Sequence, residues 1–184
     1  SPSQSVLEQL NAELFAASDD ANPIIQWRGW QFRRFDQQLF VLPVSKDLSG
    51  TLIDWNGEST IDLPLNLASL VINTTSLDKI EDNNQLCMLA PELGQISIRF
   101  GGYTDKFKPL GELQSKPLKQ WFKLWKIPPW QRDKVAIILQ NNTVQGLLLS
   151  QTKLVVCEGA DSVQSQLLLA TKPPQSYMTI SVKV

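Results

Sequence analysis

The apolar positions between residues 3 and 18 follow a helical period. They recur at spacings of three and four, which predicts an amphipathic helix with one wide apolar face, at Val6, Leu7, Leu10, Leu14 and Phe15. Little chain precedes the helix to cover that face. We therefore expect the helix to belong to a truncated domain.

Three short stretches after this helix predict an antiparallel β-meander. They are Ile24–Arg28, Gln31–Phe35 and Gln38–Leu42, separated by Gly29 and by the Asp36-Gln37 pair. Side chains alternate between the two faces of a strand, so residues 30, 32 and 34 share one face and residues 31, 33 and 35 the other. The arginines at 33 and 34 could contact phosphates, or could simply pair and pack on the sheet.

The remaining chain predicts a second, mostly β domain. Residues 43–50 combine proline, serine and glycine, which is typical of a linker and places a boundary near residue 45. Strands are expected over 59–63, 68–73, 95–100, 135–139, 144–149, 153–157, 164–171 and 177–184, with a polar loop over 74–84 and a turn within 88–94. The predicted fold class is α+β with two small domains. Residues 1–45 form a helix with a short meander, and residues 46–184 form a mostly β domain with one basic amphipathic helix.

One stretch, residues 116–133, predicts that basic helix. Ser115 is the expected N-cap with Pro117 in the first turn, and the Pro128-Pro129 pair ends the helix. An apolar stripe holds the helix on a core, made of Leu118, Trp121, Phe122 and Trp125. A lysine stripe occupies another face, made of Lys116, Lys119, Lys123 and Lys126.

The charge distribution along the chain indicates a binding function for this helix. The chain as a whole has a net charge of −1, but residues 99–134 hold nine basic and three acidic side chains, whereas residues 1–98 hold five and 13. A local excess of positive charge indicates an anion site. A solvated basic face on a protein-interaction or structural module remains the alternative.

Composition excludes several kinds of chemistry. The chain has no histidine, so the commonest general base and every Ser-His or Cys-His arrangement are absent. Its two cysteines are far apart and no zinc-ligand spacing occurs, so we expect no metal site and a reduced, cytoplasmic setting. No apolar run approaches the roughly 20 residues of a membrane span.

Lysines spaced along a helix suit a nucleic-acid backbone. Each lysine is a mobile point charge for a phosphate oxygen, and such contacts fix position rather than read bases. Trp130 could stack on a base or could plug the helix end into the core. Arg132 could contact a phosphate or pair with Asp133.

These residues resemble a known family. The pattern R-F, K-x-K-P, K-x-L-K and P-P-W-x-R-D before an apolar strand is similar to the C-terminal domain of bacterial tRNA(Ile)-lysidine synthases, formerly called MesJ cell-cycle proteins. The matching residues are Arg99, Lys106, Lys108-Pro109, Lys116, Leu118-Lys119, Pro129-Trp130 and Arg132-Asp133. Asp20 to Pro23 (DANP) and Trp30 to Phe40 (WQFRRFDQQLF) resemble the end of the middle domain of that family.

The resemblance implies a parent enzyme that uses ATP and magnesium to ligate lysine to C2 of the wobble cytidine of tRNA(Ile) with a CAU anticodon, which changes codon reading from AUG to AUA. The family's catalytic domain carries an SGGxDS loop that this sequence lacks. The fragment would then be inactive alone, with no catalytic residue or cofactor of its own. Its implied partners are the tRNA and the parent's N-terminal catalytic domain, and a homodimeric parent stays open.

The predicted site residues follow from the basic segment and the resemblance together. We expect tRNA contacts from Arg99, Lys106, Lys108, Lys116, Lys119, Lys123 and Arg132. We expect structural support for them from Leu118, Phe122, Trp125, Pro129 and Trp130.

Overall fold

The structure is a computed structural model of the 184-residue chain and describes residues 4–15, 22–75, 85–89, 96–151, 153–157 and 177–183. These residues are mostly β with few helices. The helices are α1 (Gln4–Gln9), continued by a π-helical turn over Leu10–Phe15, a 3-10 turn over Pro64–Asn66, α2 (Leu118–Leu124) and α3 (Pro129–Arg132). The strands are β1 (Ile24–Trp27), β2 (Trp30–Phe35), β3 (Gln38–Pro43), β4 (Leu52–Asp54), β5 (Thr60–Asp62), β6 (Ser69–Thr75), β7 (Gln85–Leu89), β8 (Ile96–Phe100), β9 (Lys106–Phe107), β10 (Lys116–Pro117), β11 (Ala136–Gln140), β12 (Thr143–Ser150), β13 (Lys153–Val156) and β14 (Tyr177–Lys183). Within this part of the chain, every helix is too short or too polar to cross a membrane.

The N-terminal helix packs on an antiparallel meander in the order β1-β2-β3. Leu14 is fully buried against Ile25 and Phe32, which lie on one face of the meander. Asp36 and Gln37 form a two-residue turn with positive φ at both positions, as the twist of a tight hairpin favours. The predicted helix, over its described residues 4–15, and the three predicted strands are confirmed.

Two larger antiparallel sheets enclose the main core. One has five strands in the order β13-β12-β11-β8-β4, and the other has four in the order β5-β6-β14-β7. Phe100 and Ile138 from the first sheet pack with Leu70 and Ile180 from the second. Leu48, which lies in the segment predicted as a linker, is buried in the same core. The linker is therefore anchored to the sheets.

Strand β11 is buried on both faces, which explains its uninterrupted apolar sequence. Ala136 and Ile138 belong to the main core. Ile137 and Leu139 belong to a second core on the other side of the five-stranded sheet, where α2 lies. The predicted hairpin formed by residues 135–149 is confirmed.

Part of a predicted loop is a strand in the structure. The loop expected over 74–84 is wrong at Thr74 and Thr75, which end β6. Of the stretch 88–94, in which a turn is expected, Met88 and Leu89 belong to β7 and the rest lies outside the described residues. β7 is a short mixed run that becomes a strand through its pairing with β14. The short β4 was not predicted at all. The strand predicted over 164–171 lies outside the described residues.

The helix predicted to carry four lysines is wrong at both ends. α2 has seven residues, Lys116 precedes it in β10, and Pro117 rather than Ser115 occupies the N-cap position. The helix ends because Lys126 adopts a left-handed conformation (φ 53°), with its amide donating to Lys123 O and the next amide, that of Ile127, donating to Phe122 O at 2.8 Å. These two bonds form a Schellman motif, a helix end that usually has glycine where this chain has lysine.

Gly101 lies where two loops that are distant in sequence come together. Gly101 has φ 87°, and a Cβ at this position would lie 3.2 Å from Ser49 Cα. The Gly50 amide donates to Phe100 O at 2.8 Å in the same place. Tyr103, two residues farther on, therefore lies beside the segment that leaves the meander.

We expect the free energy of unfolding of Lys126→Gly to exceed that of Lys126→Ala by about 1–2 kcal/mol. Alanine has a Cβ atom, which makes the left-handed conformation unfavourable, whereas glycine adopts this conformation without strain. Both substitutions remove the same lysine and its surface ion pair, so the pair isolates backbone strain. Urea unfolding measures the difference. Equal midpoints for the two variants would contradict the assigned helix end.

Gly101→Ala should destabilise the chain more than Gly111→Ala. Both glycines have positive φ (87° and 85°), but a Cβ at Gly111 meets nothing within 4 Å. Both variants place a Cβ on a residue with positive φ, so both carry the same backbone strain. Only in Gly101→Ala does the new Cβ also crowd the Ser49 backbone, and this crowding should lower the free energy of unfolding further, by about 1–3 kcal/mol. Chemical denaturation of both variants tests this, and matching losses would show that the contact with Ser49 is easily relieved.

Candidate nucleic-acid interface

Helix α2 is fixed tightly to the second core. Leu118, Trp121 and Phe122 are buried, and the Trp121 indole donates a buried hydrogen bond to Phe107 O at 2.6 Å. Trp125 stacks on Trp121 with ring centroids 5.4 Å apart. Leu118 and Phe122 are buried in this core and Trp125 packs against it, so their supporting role stays a prediction that this packing favours. The opposite side of the helix is therefore held in a defined position.

Three lysines of the basic segment carry charges that have no partner among the described residues. Lys119 and Lys123 are exposed and one turn apart on α2, and Lys106 is exposed on β9. None of the three has a hydrogen-bond or ion-pair partner among the described residues. A lysine held this way can turn its ammonium group towards an incoming anion at little cost.

Two further lysines already have partners within the chain. The Lys116 ammonium lies 4.5 Å from the centroid of the Trp121 ring, in a cation–π contact. The Lys126 ammonium lies 2.9 Å from an Asp36 carboxylate oxygen, and both side chains are more than half exposed. Such a pair contributes little to stability and can be exchanged for a phosphate. Lys108 is half-buried and has intramolecular interactions of its own.

The two arginines that the sequence predicts as tRNA contacts, Arg99 and Arg132, stabilise loops through internal bonds. Arg99 forms an ion pair with Asp105 and donates to Gly102 O at 3.1 Å, which closes the turn after β8. Arg132 Nε donates to Ile127 O at 3.0 Å and so spans the start of α3. Burial lowers the pKa of Arg132, with the Tyr103 hydroxyl acting in the opposite direction. Both side chains are committed to backbone oxygens, which leaves them less able to contact a ligand than the exposed lysines.

Trp130 of α3 packs on the meander. Its ring packs edge-on against Phe35 and Phe40, at centroid distances of 6.0 and 5.2 Å. The Arg33 guanidinium lies over the same ring, with Cζ 5.3 Å from the centroid. Pro129 occupies the first turn of α3 and sets the start of that helix. The prediction that Trp130 packs the end of the helix into the core is therefore wrong, because the ring packs on the face of the meander formed by β2 and β3.

A cleft of about 540 Å³ lies where these parts meet, and we call it the meander cleft. Its walls come from β2, from the segment after β3, from the turn after β8 and from α3. The groups that could contact a ligand are Arg33, Asp47, Ser49, Tyr103, Trp130, Asp133 and Lys134. Two polar atoms of the lining residues, the Tyr103 hydroxyl and Trp130 Nε1, are buried without a hydrogen-bond partner among the described residues.

The cleft contains both acidic and basic side chains, and its net charge is close to zero. Asp133 pairs with the Lys134 ammonium at 3.0 Å, and Asp47 accepts from the Ser49 amide at 2.8 Å, which lowers the pKa of Asp47. Burial raises the pKa of the Tyr103 hydroxyl, and the Asp133 charge adds to that effect. Ser49 lies beside this hydroxyl, but no hydrogen bond of normal geometry joins them.

Sequence reasoning missed this cleft. The sequence patterns point to neither Tyr103 nor Lys134, and they indicate Arg33 only as one of two arginines on a strand. The one available indication was the Gly101-Gly102 pair before an aromatic residue, a combination typical of a close backbone approach. The residues come from four separate segments, and their meeting depends on how the meander packs.

Two family models match the chain. One is described as the TilS substrate binding domain and covers residues 1–40, and the other is described as the TilS substrate C-terminal domain and covers residues 96–153. The second contains the whole basic segment, residues 99–134. It also contains strands β8, β11 and β12, which form the centre of the five-stranded sheet.

Curated relatives carry the same family name. The tRNA(Ile)-lysidine synthase of Serratia proteamaculans is 30% identical over 166 residues, which are 90% of this chain and 35% of that protein. The enzyme of the same name from Legionella pneumophila is 30% identical over 141 residues, 77% of this chain and 30% of that protein. The chain thus spans about a third of the length of the relatives it matches.

A solved structure, described as a crystal structure of the TILS C-terminal domain, aligns with 73% of this chain and 98% of its own, at a TM-score of 0.49 and 16% identity. Together, the two family models cover both ends of the region in which the resemblance was seen. The chain belongs to the tRNA(Ile)-lysidine synthase family and corresponds to the C-terminal portion of those proteins.

Proposed function

We propose that this chain is the tRNA-recognition part of a tRNA(Ile)-lysidine synthase. The parent would use ATP to ligate lysine to C2 of the wobble cytidine of tRNA(Ile), which changes codon reading from AUG to AUA. The observation that carries the proposal is the pair Lys119 and Lys123, exposed one turn apart on a helix whose other face is locked into the core. This geometry suits a row of phosphates.

The lysines provide affinity and position, while specificity has to come from other contacts. Lysine ammonium groups neutralise phosphates and release counterions, whatever the base sequence. Double-stranded RNA is recognised mainly through its shape and backbone, because its major groove is too deep and narrow for side chains. We propose direct phosphate contacts from Lys119, Lys123 and Lys106, with Lys108 and Lys116 at the border of the same surface.

The arginines have a different part in this proposal. Arg99 and Arg132 hold the turns on either side of α2 through bonds to Gly102 O and Ile127 O. Removing either would leave a backbone oxygen without its donor and would loosen the surface that carries the lysines. We propose that both act mainly by positioning this surface, with any tRNA contact secondary.

We also propose that the chain divides near residue 45 into two units, 1–45 and 46–184. The meander pairs with no strand of the other described sheets, and Leu14, Ile25 and Phe32 form a core of their own. The first unit would be the end of a substrate-binding domain, and the second a C-terminal tRNA-binding domain.

A second candidate is a protein-interaction module, and one observation favours it. Trp30, Leu39 and Val41 lie on the same face of the meander and are 46–50% exposed. In a longer parent, this face could contact the catalytic domain or a second copy of the chain. Under this alternative the lysines are a solvated face and bind no RNA.

We expect Lys119→Ala with Lys123→Ala to weaken binding of tRNA and to lower the slope of log affinity against log salt by roughly two, about one for each lost phosphate contact. Filter binding between low and moderate salt measures both quantities. The matched control is Lys153→Ala with Lys183→Ala, which removes two exposed lysines outside the basic segment. An unchanged slope in the first variant, or equal losses in both, would remove α2 from the interface.

The chain alone should catalyse neither ATP–pyrophosphate exchange nor lysine transfer to tRNA(Ile). We assign ATP, magnesium and lysine to the catalytic domain of the parent, because this sequence has no phosphate-binding loop. Exchange assays with radiolabelled pyrophosphate test the chain directly. Measurable exchange by the purified chain would show that it has a nucleotide-activating site of its own.

A further inference from the structure

We propose that the meander cleft binds one unpaired nucleotide of the RNA, with the base inside the cleft. The inference rests on the proposed function, because it assigns a second part of the same RNA to a second site. The lysines of α2 would hold the backbone, and the cleft would supply contacts that depend on the base.

The size and walls of the cleft suit a planar ring with polar edges. Its volume of about 540 Å³ falls in the range of sites for small molecules. Arg33 offers a shelf for stacking, because its Nε donates to Gln31 at 2.8 Å and its guanidinium lies over the Trp130 ring. Proteins commonly stack unpaired RNA bases on aromatic rings and on guanidinium planes.

Two polar atoms of residues that line the cleft are buried and lack the hydrogen-bond partner that their burial requires. The Trp130 indole can only donate, and the Tyr103 hydroxyl can donate or accept, yet neither has a bond within the described residues. Buried polar groups are nearly always satisfied in folded proteins, so each exception calls for an explanation. A base carries carbonyl and ring-nitrogen acceptors that can take both bonds once it displaces the side chains closing over these atoms.

The charges of the cleft favour a base over a phosphate. Arg33 and Lys134 are balanced by Asp47 and Asp133, so no net positive charge attracts an anion. Asp47 uses one carboxylate oxygen for the Ser49 amide and keeps acceptor capacity for another donor. An exocyclic amino group is such a donor, and we therefore expect guanine, adenine or cytosine in preference to uracil.

The backbone segments that form the walls are held in place before any ligand arrives, so binding requires only side chains to move. Leu48 is buried in the main core between Asp47 and Ser49, and Gly101 packs against Ser49 on the other side. The Lys134 ammonium donates to Trp130 O at 3.2 Å as well as to Asp133. A site whose walls are already ordered loses little entropy on binding.

Trp130 provides a direct spectroscopic test. The Trp130 indole resonance in the ¹⁵N–¹H spectrum of the full chain can be assigned with a Trp130→Phe variant. This resonance should shift on titration with guanosine monophosphate, and it should shift less on titration with uridine monophosphate. The Trp55 indole is the internal control, because its proton is already donated to Glu58 O at 2.8 Å. Indole signals that move together, or a Trp130 signal that never moves, would overturn the proposal.

Tyr103→Phe is the matched variant, because it removes only the unpartnered hydroxyl. We expect the variant to unfold at the same temperature as the unaltered chain or at a higher one, because the substitution removes an unsatisfied buried group. We also expect it to bind tRNA about fivefold more weakly, which corresponds to the loss of one hydrogen bond. A purely structural role for Tyr103 would leave the tRNA affinity unchanged.

The outcomes separate this proposal from the proposed function. Unaltered tRNA affinity in Tyr103→Phe overturns the RNA-nucleotide site, even if a free mononucleotide shifts Trp130, while salt-dependent tRNA binding through α2 would still stand. If the unaltered chain binds no tRNA at all, the proposed function itself fails, and with it the assignment of the cleft to RNA.

Discussion

Burial of strand β11 on both faces is the constraint on which the other layers depend. A strand of this kind needs an apolar cover on each side, because its alternating side chains point both ways. The four-stranded sheet covers Ala136 and Ile138, and α2 covers Ile137 and Leu139. Once α2 is held there by Leu118, Trp121 and Phe122, its polar side has to face outward. The position of the lysines is a consequence of how the sheet is covered.

The helix is short for a physical reason that also shapes the charged surface. The Schellman motif at Lys126 ends α2 after seven residues, and the Ile127 side chain returns to the core beside Phe122. Lys126 therefore lies beyond the end of the helix, and Lys116 lies before its start, in β10. Lys116 moves onto the Trp121 ring, and Lys126 moves towards Asp36 of the meander. The surface is narrower than a four-lysine stripe and reaches towards the meander at one end.

Trp130 links the two parts of the chain and creates the cleft between them. Because its ring packs on Phe35 and Phe40, the meander lies against α3, and the Arg33 side chain closes over the ring. The parts leave a gap between them, which is lined by apolar and charged side chains. Under the two proposals made above, RNA recognition would combine a backbone contact at α2 with a base contact in the cleft.

Local pattern was sufficient for the elements whose sequence and surroundings agree. The meander, β8 and the β11–β12 hairpin alternate or run apolar, and their two-residue turns, such as Asn141-Asn142 with positive φ at both positions, are specified by the residues themselves. The strands β4 and β7 carry weaker patterns and exist because a neighbour offers free backbone groups for pairing. No local rule identifies such a strand.

The sequence by itself determined the basic segment, the apolar side of α2, the chain's place in its family and the absence of histidine chemistry. These are properties of residue type and spacing, which do not depend on what lies across the core. Tertiary structure alone decided which charges stay available. Arg99, Arg132 and Lys116 are drawn into internal contacts, while Lys119 and Lys123 are left to solvent. The meander cleft was decided the same way, because packing brings together side chains that lie up to about a hundred residues apart in sequence.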